Sequence, residues 1–214
     1  FNWLEATYRY TEIEDRFYGI AAYSGNQSYK DKGFDIKFLL RNESFNLPAI
    51  AMGLRDIGGT GLFSSEYFVL SKKFGKLDVS FGLGWGVLGT DNNINNIFKN
   101  FNKNFNDRRG SYTLEGGSFS YKSWFSGPSA ILGGLEFDLP KRGLRLKLEY
   151  DTTNPDERRT VNRVDSRFNI GVNYSWSENL NFSTSFERGR QLRVSFKLKG
   201  NFIRDTIPKP LPKN

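Results

Sequence analysis

Apolar and polar residues alternate strictly along most of this chain. A period of two puts one residue class on each face of a strand and scatters both around a helix. The cleanest run is Leu77-Asp78-Val79-Ser80-Phe81-Gly82-Leu83-Gly84-Trp85-Gly86-Val87: Leu, Val, Phe, Leu, Trp and Val fall on one side, Asp, Ser and three glycines on the other. Phe34, Ile36, Phe38 and Leu40 likewise oppose Asp35, Lys37, Leu39 and Arg41, and Leu144, Leu146, Leu148 and Tyr150 oppose Arg145, Lys147, Glu149 and Asp151. The pattern returns at 167–176, 180–187 and 192–199, and more weakly at 2–11, 49–56, 64–73 and 128–138, where the facing of 64–73 is undecided. The total is about ten strands, an even number of the kind used by outer-membrane barrels.

Connections alternate in length. Short turns rich in Pro, Gly, Asn, Lys and Ser are expected at 43–48, 74–76, 140–143 and 177–179. Longer loops are expected at 12–32, 89–127 and 152–165, with shorter ones near 57–63 and 188–190. Outer-membrane barrels have short periplasmic turns and long outer loops, and an even strand count puts both ends of the sheet on the short side.

The mean hydropathy of −0.56 and 25% charged residues are those of a soluble protein, yet 16% of residues are aromatic. Alternation reconciles these values, because a barrel strand has one apolar face and an unremarkable average. The expected fold is therefore all-β: an antiparallel transmembrane β-barrel of about ten strands over residues 1–200, with a short helix in a long loop. Soluble sandwiches and lipocalin-like barrels alternate in the same way and stay open as alternatives. Strands reaching the ~9–11 residues of a tilted bilayer crossing favour the membrane. Tyr8, Tyr10, Tyr150, Tyr174, Trp85 and Trp176 fall near strand ends on the apolar faces, where they form an aromatic girdle or fill a sandwich core. No stretch approaches the eighteen or so apolar residues of a membrane helix.

Two segments depart from the strand pattern. Ile94, Ile97, Phe98, Phe101 and Phe105 fall at helical spacing, with Lys99, Lys103, Arg108 and Arg109 largely elsewhere, predicting a short amphipathic helix on or inside the barrel mouth. Residues 201–214, containing Ile207-Pro208-Lys209-Pro210-Leu211-Pro212, read as a Pro-rich exit linker toward a further domain.

The chain has neither His nor Cys, so disulfides, the usual zinc sites, and imidazole or thiol catalysis are unavailable, and no cofactor or metal is expected. The net charge of +8 points to an acidic partner. The basic residues interleave with carboxylates and form no contiguous patch, and no nucleic-acid module is present, so nucleic acid is not the expected partner. Membrane lipid, lipopolysaccharide or an acidic polysaccharide fits better.

Several runs resemble the YjbH-like family of exopolysaccharide and capsule biosynthesis proteins. The most telling is Ala51-Met52-Gly53-Leu54-Arg55-Asp56-Ile57-Gly58-Gly59-Thr60-Gly61-Leu62-Phe63-Ser64-Ser65-Glu66-Tyr67, followed by Ser71-Lys72-Lys73-Phe74-Gly75 and Gly82-Leu83-Gly84-Trp85-Gly86. Trp124-Phe125-Ser126-Gly127, Gly133-Gly134-Leu135-Glu136, Leu148-Glu149-Tyr150-Asp151 and Phe186-Glu187-Arg188-Gly189 continue the series in order. The resemblance implies an outer-membrane β-barrel, often lipid-anchored, encoded beside surface-polysaccharide genes, working with other envelope export proteins and part of a longer polypeptide with a second barrel-like half. The cysteine needed for that lipidation is not in this sequence, and no catalytic residues are implied.

If the apolar faces meet lipid, Lys37, Arg41, Arg55, Arg145, Lys147, Arg167, Arg193 and Lys197 line the lumen and can contact a polyanion, although Asp35, Asp78, Glu136, Glu149 and Glu187 share that side and can neutralise them. Arg55-Asp56-Ile57-Gly58-Gly59-Thr60-Gly61 is either an anion cradle or a tight strand connection with Arg55 paired to a carboxylate. Glu5, Glu66, Glu136, Glu149 and Asp151 are the credible acid–base candidates, and charge pairing accounts for them without an enzyme. The function expected is a non-enzymatic accessory, scaffold or conduit in polysaccharide export. A barrel that only organises partners and a soluble glycan-binding β-domain are the alternatives.

Overall fold

The structure is a computed structural model and describes residues 2–108, 117, 119, 121–140, 143–153 and 164–200. The expected exit linker at 201–214 lies outside the described residues, as do Arg109 and parts of the two longest loops.

Ten strands form where the alternation predicts them. They are β1 Leu4–Phe17, β2 Ser28–Arg41, β3 Ala49–Ile57, β4 Ser65–Phe74, β5 Leu77–Gly86, β6 Ser129–Asp138, β7 Leu144–Tyr150, β8 Phe168–Ser175, β9 Leu180–Glu187 and β10 Gln191–Leu198. Each pairs antiparallel with its chain neighbour, giving one sheet in the order β1 to β10. Among the described residues no ladder joins β10 to β1, so these ten strands form an open sheet and do not close on themselves as the expected barrel would. The loop expected at 12–32 shrinks to 18–27, because β1 and β2 hold 14 residues each, and a one-turn helix, α1 (Ala21–Ser24), sits in it. β7 has 7 residues and β8, β9 and β10 have 8 each, shorter than the expected crossing length.

Connections 42–48, 75–76, 139–143 and 176–179 lie on one rim; 18–27, 58–64, 87–128, 151–167 and 188–190 lie on the other.

Register settles which side chains share a face. Tyr8 pairs with Phe34, Leu70 with Phe81, Leu135 with Leu148, Ile170 with Phe186 and Phe182 with Phe196, an apolar face that runs across the sheet. Through Phe68, Leu70 and Phe74, β4 joins it, and Glu66 and Lys72 sit in the same row. Asp78 with Glu136, Glu136 with Lys147 and Asn173 with Ser183 build the opposite, polar face.

Burial is inverted relative to a water-soluble sheet. In β8 the polar-face Asn169 is 7% exposed, whereas its apolar neighbours Phe168 and Ile170 are 58% and 56% exposed. Among the described residues twelve polar or charged side chains are buried against seven hydrophobic ones, the reverse of a soluble core. Small side chains make room for this. A Cβ on Gly53 would meet the Tyr67 ring at 2.1 Å, so the glycine lets that ring lie flat over β3 on the polar face.

Candidate functional site: the polar face and its rim

Most of the predicted lumen bases are already paired. Arg145 reaches Glu136 at 2.9 Å and Asp138 at 2.6 Å; Lys147 reaches Glu136 at 2.6 Å. Lys73 closes the same network on Asp138 at 2.8 Å. Lys37 pairs with Glu5 at 3.5 Å, Arg55 with Asp35 at 3.7 Å and Arg193 with Glu187 at 3.5 Å. Lys197 is exposed and makes no ion pair among the described residues.

Two of the eight bases do not sit where alternation puts them. A register shift between Leu39 and Arg41 sets Arg41 opposite Ile50, so the bulge carries Arg41 onto the apolar face. Arg167 precedes β8 and bonds Asp91 of the 87–128 connection at 2.7 Å, tying that segment to the rim. On the opposite rim Lys72, in the apolar row, bends to Glu43 at 3.2 Å and to the Ser44 and Phe45 carbonyls. The Lys73 N–H, donated to Glu43 at 3.1 Å, and the Lys72 ammonium hold the Glu43 carboxyl below its ordinary range.

The glycine run at 55–61 answers the cradle question in an unforeseen way. Asp56 adopts φ 61°, a left-handed conformation that Asp tolerates better than most residues, where β3 bulges. Its carboxylate accepts the Phe63 N–H at 3.0 Å and pairs with Arg9 at 2.9 Å. Thr60 donates its hydroxyl to Asp31 at 2.6 Å, and Asp31 meets Arg9 at 3.0 Å. A Cβ on Gly59 would lie 1.9 Å from the Asp56 carboxylate. The loop does hold an anion, but that anion is the chain's own. The tight-connection reading, with Arg55 on Asp35, is the one realised. The Arg9 clasp went unforeseen because Asp31 sat in the expected loop; once β1 and β2 are paired, Arg9 and Asp31 lie two register steps apart on one face.

The 87–128 connection is built on a second clasp. Arg108 makes a two-pronged bond to the fully buried Glu66, at 2.7 and 2.8 Å, and also reaches Ser64 and the Ser123 carbonyl. The Phe125 N–H completes the Glu66 carboxylate at 2.9 Å. Around this pair Phe125 stacks on Phe68 at 5.4 Å and meets Trp85 at 5.3 Å, and Phe98 packs on Trp85 and Phe105. Trp85 is therefore wholly buried and is no girdle residue, whereas Tyr8, Tyr10 and Trp176 are exposed. The buried Asn96 amide donates to the Phe105, Phe125 and Gly127 carbonyls.

The expected amphipathic helix does not form. Two separate 3₁₀ turns, Ile97–Asn100 and Lys103–Phe105, take its place. Phe98 and Phe105 turn inward, Ile97 and Phe101 outward, and Ile94 makes a bridge to Ser129. The acid–base candidates have structural partners: Glu5 has Lys37, Glu66 has Arg108, Glu136 has Arg145 and Lys147, Glu149 accepts from Asn169 at 3.1 Å, and Asp151 accepts the Thr153 N–H. A lone carboxylate in the apolar row of β4 was the available signal that Glu66 needed a buried cation.

The sequence model of the family described as "Exopolysaccharide biosynthesis protein YbjH" matches residues 1–214. The chain belongs to the YjbH family. A curated relative, the "Uncharacterized lipoprotein YjbH" of Escherichia coli (strain K12), is 42% identical over 205 residues, which cover 94% of this chain. The match takes in 29% of that relative, so the chain spans less than a third of its length. No solved structure matches. In this YjbH-family chain the run at 51–67 supplies Asp56 and Thr60 to one clasp and Glu66 to the other. Trp85 and the run at 124–127 supply the aromatic cap.

Proposed function

We propose that this sheet is a wall segment of an outer-membrane β-barrel, and that the protein serves, without catalysing a reaction, as a conduit or accessory in exopolysaccharide export. The observation carrying this reading is the inverted burial: beyond the cap that the 87–128 connection lays over Glu66 and Trp85, the apolar face is left largely exposed, with a crowded, hydrogen-bonded polar face opposite. Lipid is the medium in which that distribution is stable, since outward residues meet hydrocarbon and inward ones meet water or polymer. Membership of an exopolysaccharide biosynthesis family supplies the process, and a lipoprotein relative is consistent with the envelope. The short-turn rim then faces the periplasm.

The paired state of most lumen bases favours a second reading, in which the wall only organises export partners. Two measurements separate the readings. The full-length protein, extracted from membranes in detergent, is expected to run as a distinct folded band when unboiled; a protein soluble without detergent overturns the membrane reading. Given a folded barrel, Lys197→Glu is expected to reduce polymer export if the face contacts polymer, and unchanged export supports the scaffold.

A further inference from the structure

At the short-turn end of the polar face lies a polar cavity of about 380 Å³, within the size range of small-molecule sites, lined by Asp138, Arg145, Asn173, Ser175, Asn181 and Lys199. Its lining differs from the rest of the face. Arg145 and Asp138 neutralise each other at 2.6 Å, and Ser175 donates to Asn181 at 2.6 Å. The Asn173 carboxamide makes no side-chain hydrogen bond among the described residues, and its oxygen is shut from solvent without a donor. The Lys199 ammonium likewise makes no ion pair among the described residues, although its backbone is fixed by an N–H bond to the Asn179 carbonyl at 2.8 Å. Buried polar groups are normally satisfied, so the unpartnered Asn173 carboxamide in the wall of a cavity whose exposed edge carries the Lys199 ammonium suits a ligand carrying both hydroxyls and a negative charge.

We infer that this cavity binds one acidic sugar unit of the polymer, with Lys199 on its carboxylate and Asn173 on its hydroxyls. The inference rests on the polysaccharide reading above and deepens it, placing first contact at the mouth of the polar face instead of along a wall of bases. Neutral Ser and Asn side chains continue from the cavity across β8 to β10, where Ser183 and Ser195 share a hydrogen bond of 2.7 Å. Such side chains exchange hydrogen bonds with a sugar without the tight grip of a charge.

The test is calorimetric titration of the detergent-solubilised full-length protein with trigalacturonate and with uncharged galactotriose. The wild type is expected to favour trigalacturonate by about tenfold or more. Lys199→Gln should erase that preference and leave galactotriose binding intact, and Asn173→Leu should weaken both. No trigalacturonate binding by the wild type, or binding within about twofold of wild type in both variants, overturns the site. Heat-modifiability of the same samples keeps the two ideas apart. A folded barrel with no sugar binding sinks the cavity alone, and sugar binding by a detergent-independent protein sinks the membrane reading alone.

Discussion

Glu66 and Arg108 illustrate what single residues do in this protein. A carboxylate in an apolar row is unstable unless a cation comes to it, and here the cation arrives from 42 residues away in sequence, bringing a loop with it. Removing one partner leaves an uncompensated buried charge, at about 3–5 kcal/mol. Glu66→Ala is therefore expected to destabilise the protein to chemical unfolding by that amount and to expose the 87–128 connection to limited proteolysis. Replacing both Glu66 and Arg108 with Ala should recover part of the loss. Arg108→Ala behaving like wild type in both assays would refute the clasp. The surface pairs on the polar face are different, since exposed ion pairs contribute about 0–1 kcal/mol each. In the proposed export role their effect is to lower the field that an incoming polyanion would meet, which leaves Lys197 and Lys199 as the unpaired bases at the β10 end of the polar face.

Among the elements, the strands and the places of most connections were legible, and the internal structure of the long connections was not. Alternation records which face each residue takes, so the ten strands sit where the sequence predicted them. β1 and β2 extend beyond their expected ends because 12–17 and 28–33 place charges such as Glu12, Lys30 and Lys32 in the apolar row, which hides the period. The missing helix has a local cause. Asn96 and Asn102 accept the Phe98 and Asn104 N–H groups, and these side-chain caps hold two short turns in place of a continuous helix. Asn96 is the pivot, since its amide also holds three carbonyls. Asn96→Ala orphans those acceptors and is expected to lower stability by about 1–3 kcal/mol, with slower-exchanging amides of 97–105 becoming fast in hydrogen exchange. Unchanged exchange there would mean the turns hold without it. The bulge that moves Arg41 across the sheet was also illegible, because an extra residue leaves no mark on composition.

For the whole molecule the decisive property is that polar and apolar faces are assigned the opposite way from a soluble sheet. Two substitutions of equal chemistry should therefore part company. Leu148→Lys puts a charge on the apolar face, at about 2–4 kcal/mol if that face lies at mid-bilayer, and should abolish the folded band in membranes. Ser183→Lys on the polar face should leave the band intact. The opposite ranking would mean the polar face, not the apolar one, is the buried side.

Every ladder in this sheet joins sequence neighbours, and that has an outcome for how such a chain changes size. A hairpin can be duplicated or deleted between two existing strands without rethreading any other connection, because no strand depends on a distant partner for its register. Change then comes in steps of two strands, which preserves the rim on which each end emerges. The width of the sheet becomes a quantity that gene duplication can tune in even increments, while the two clasps, which meet in the β3–β4 connection through Thr60 and Ser64, travel together.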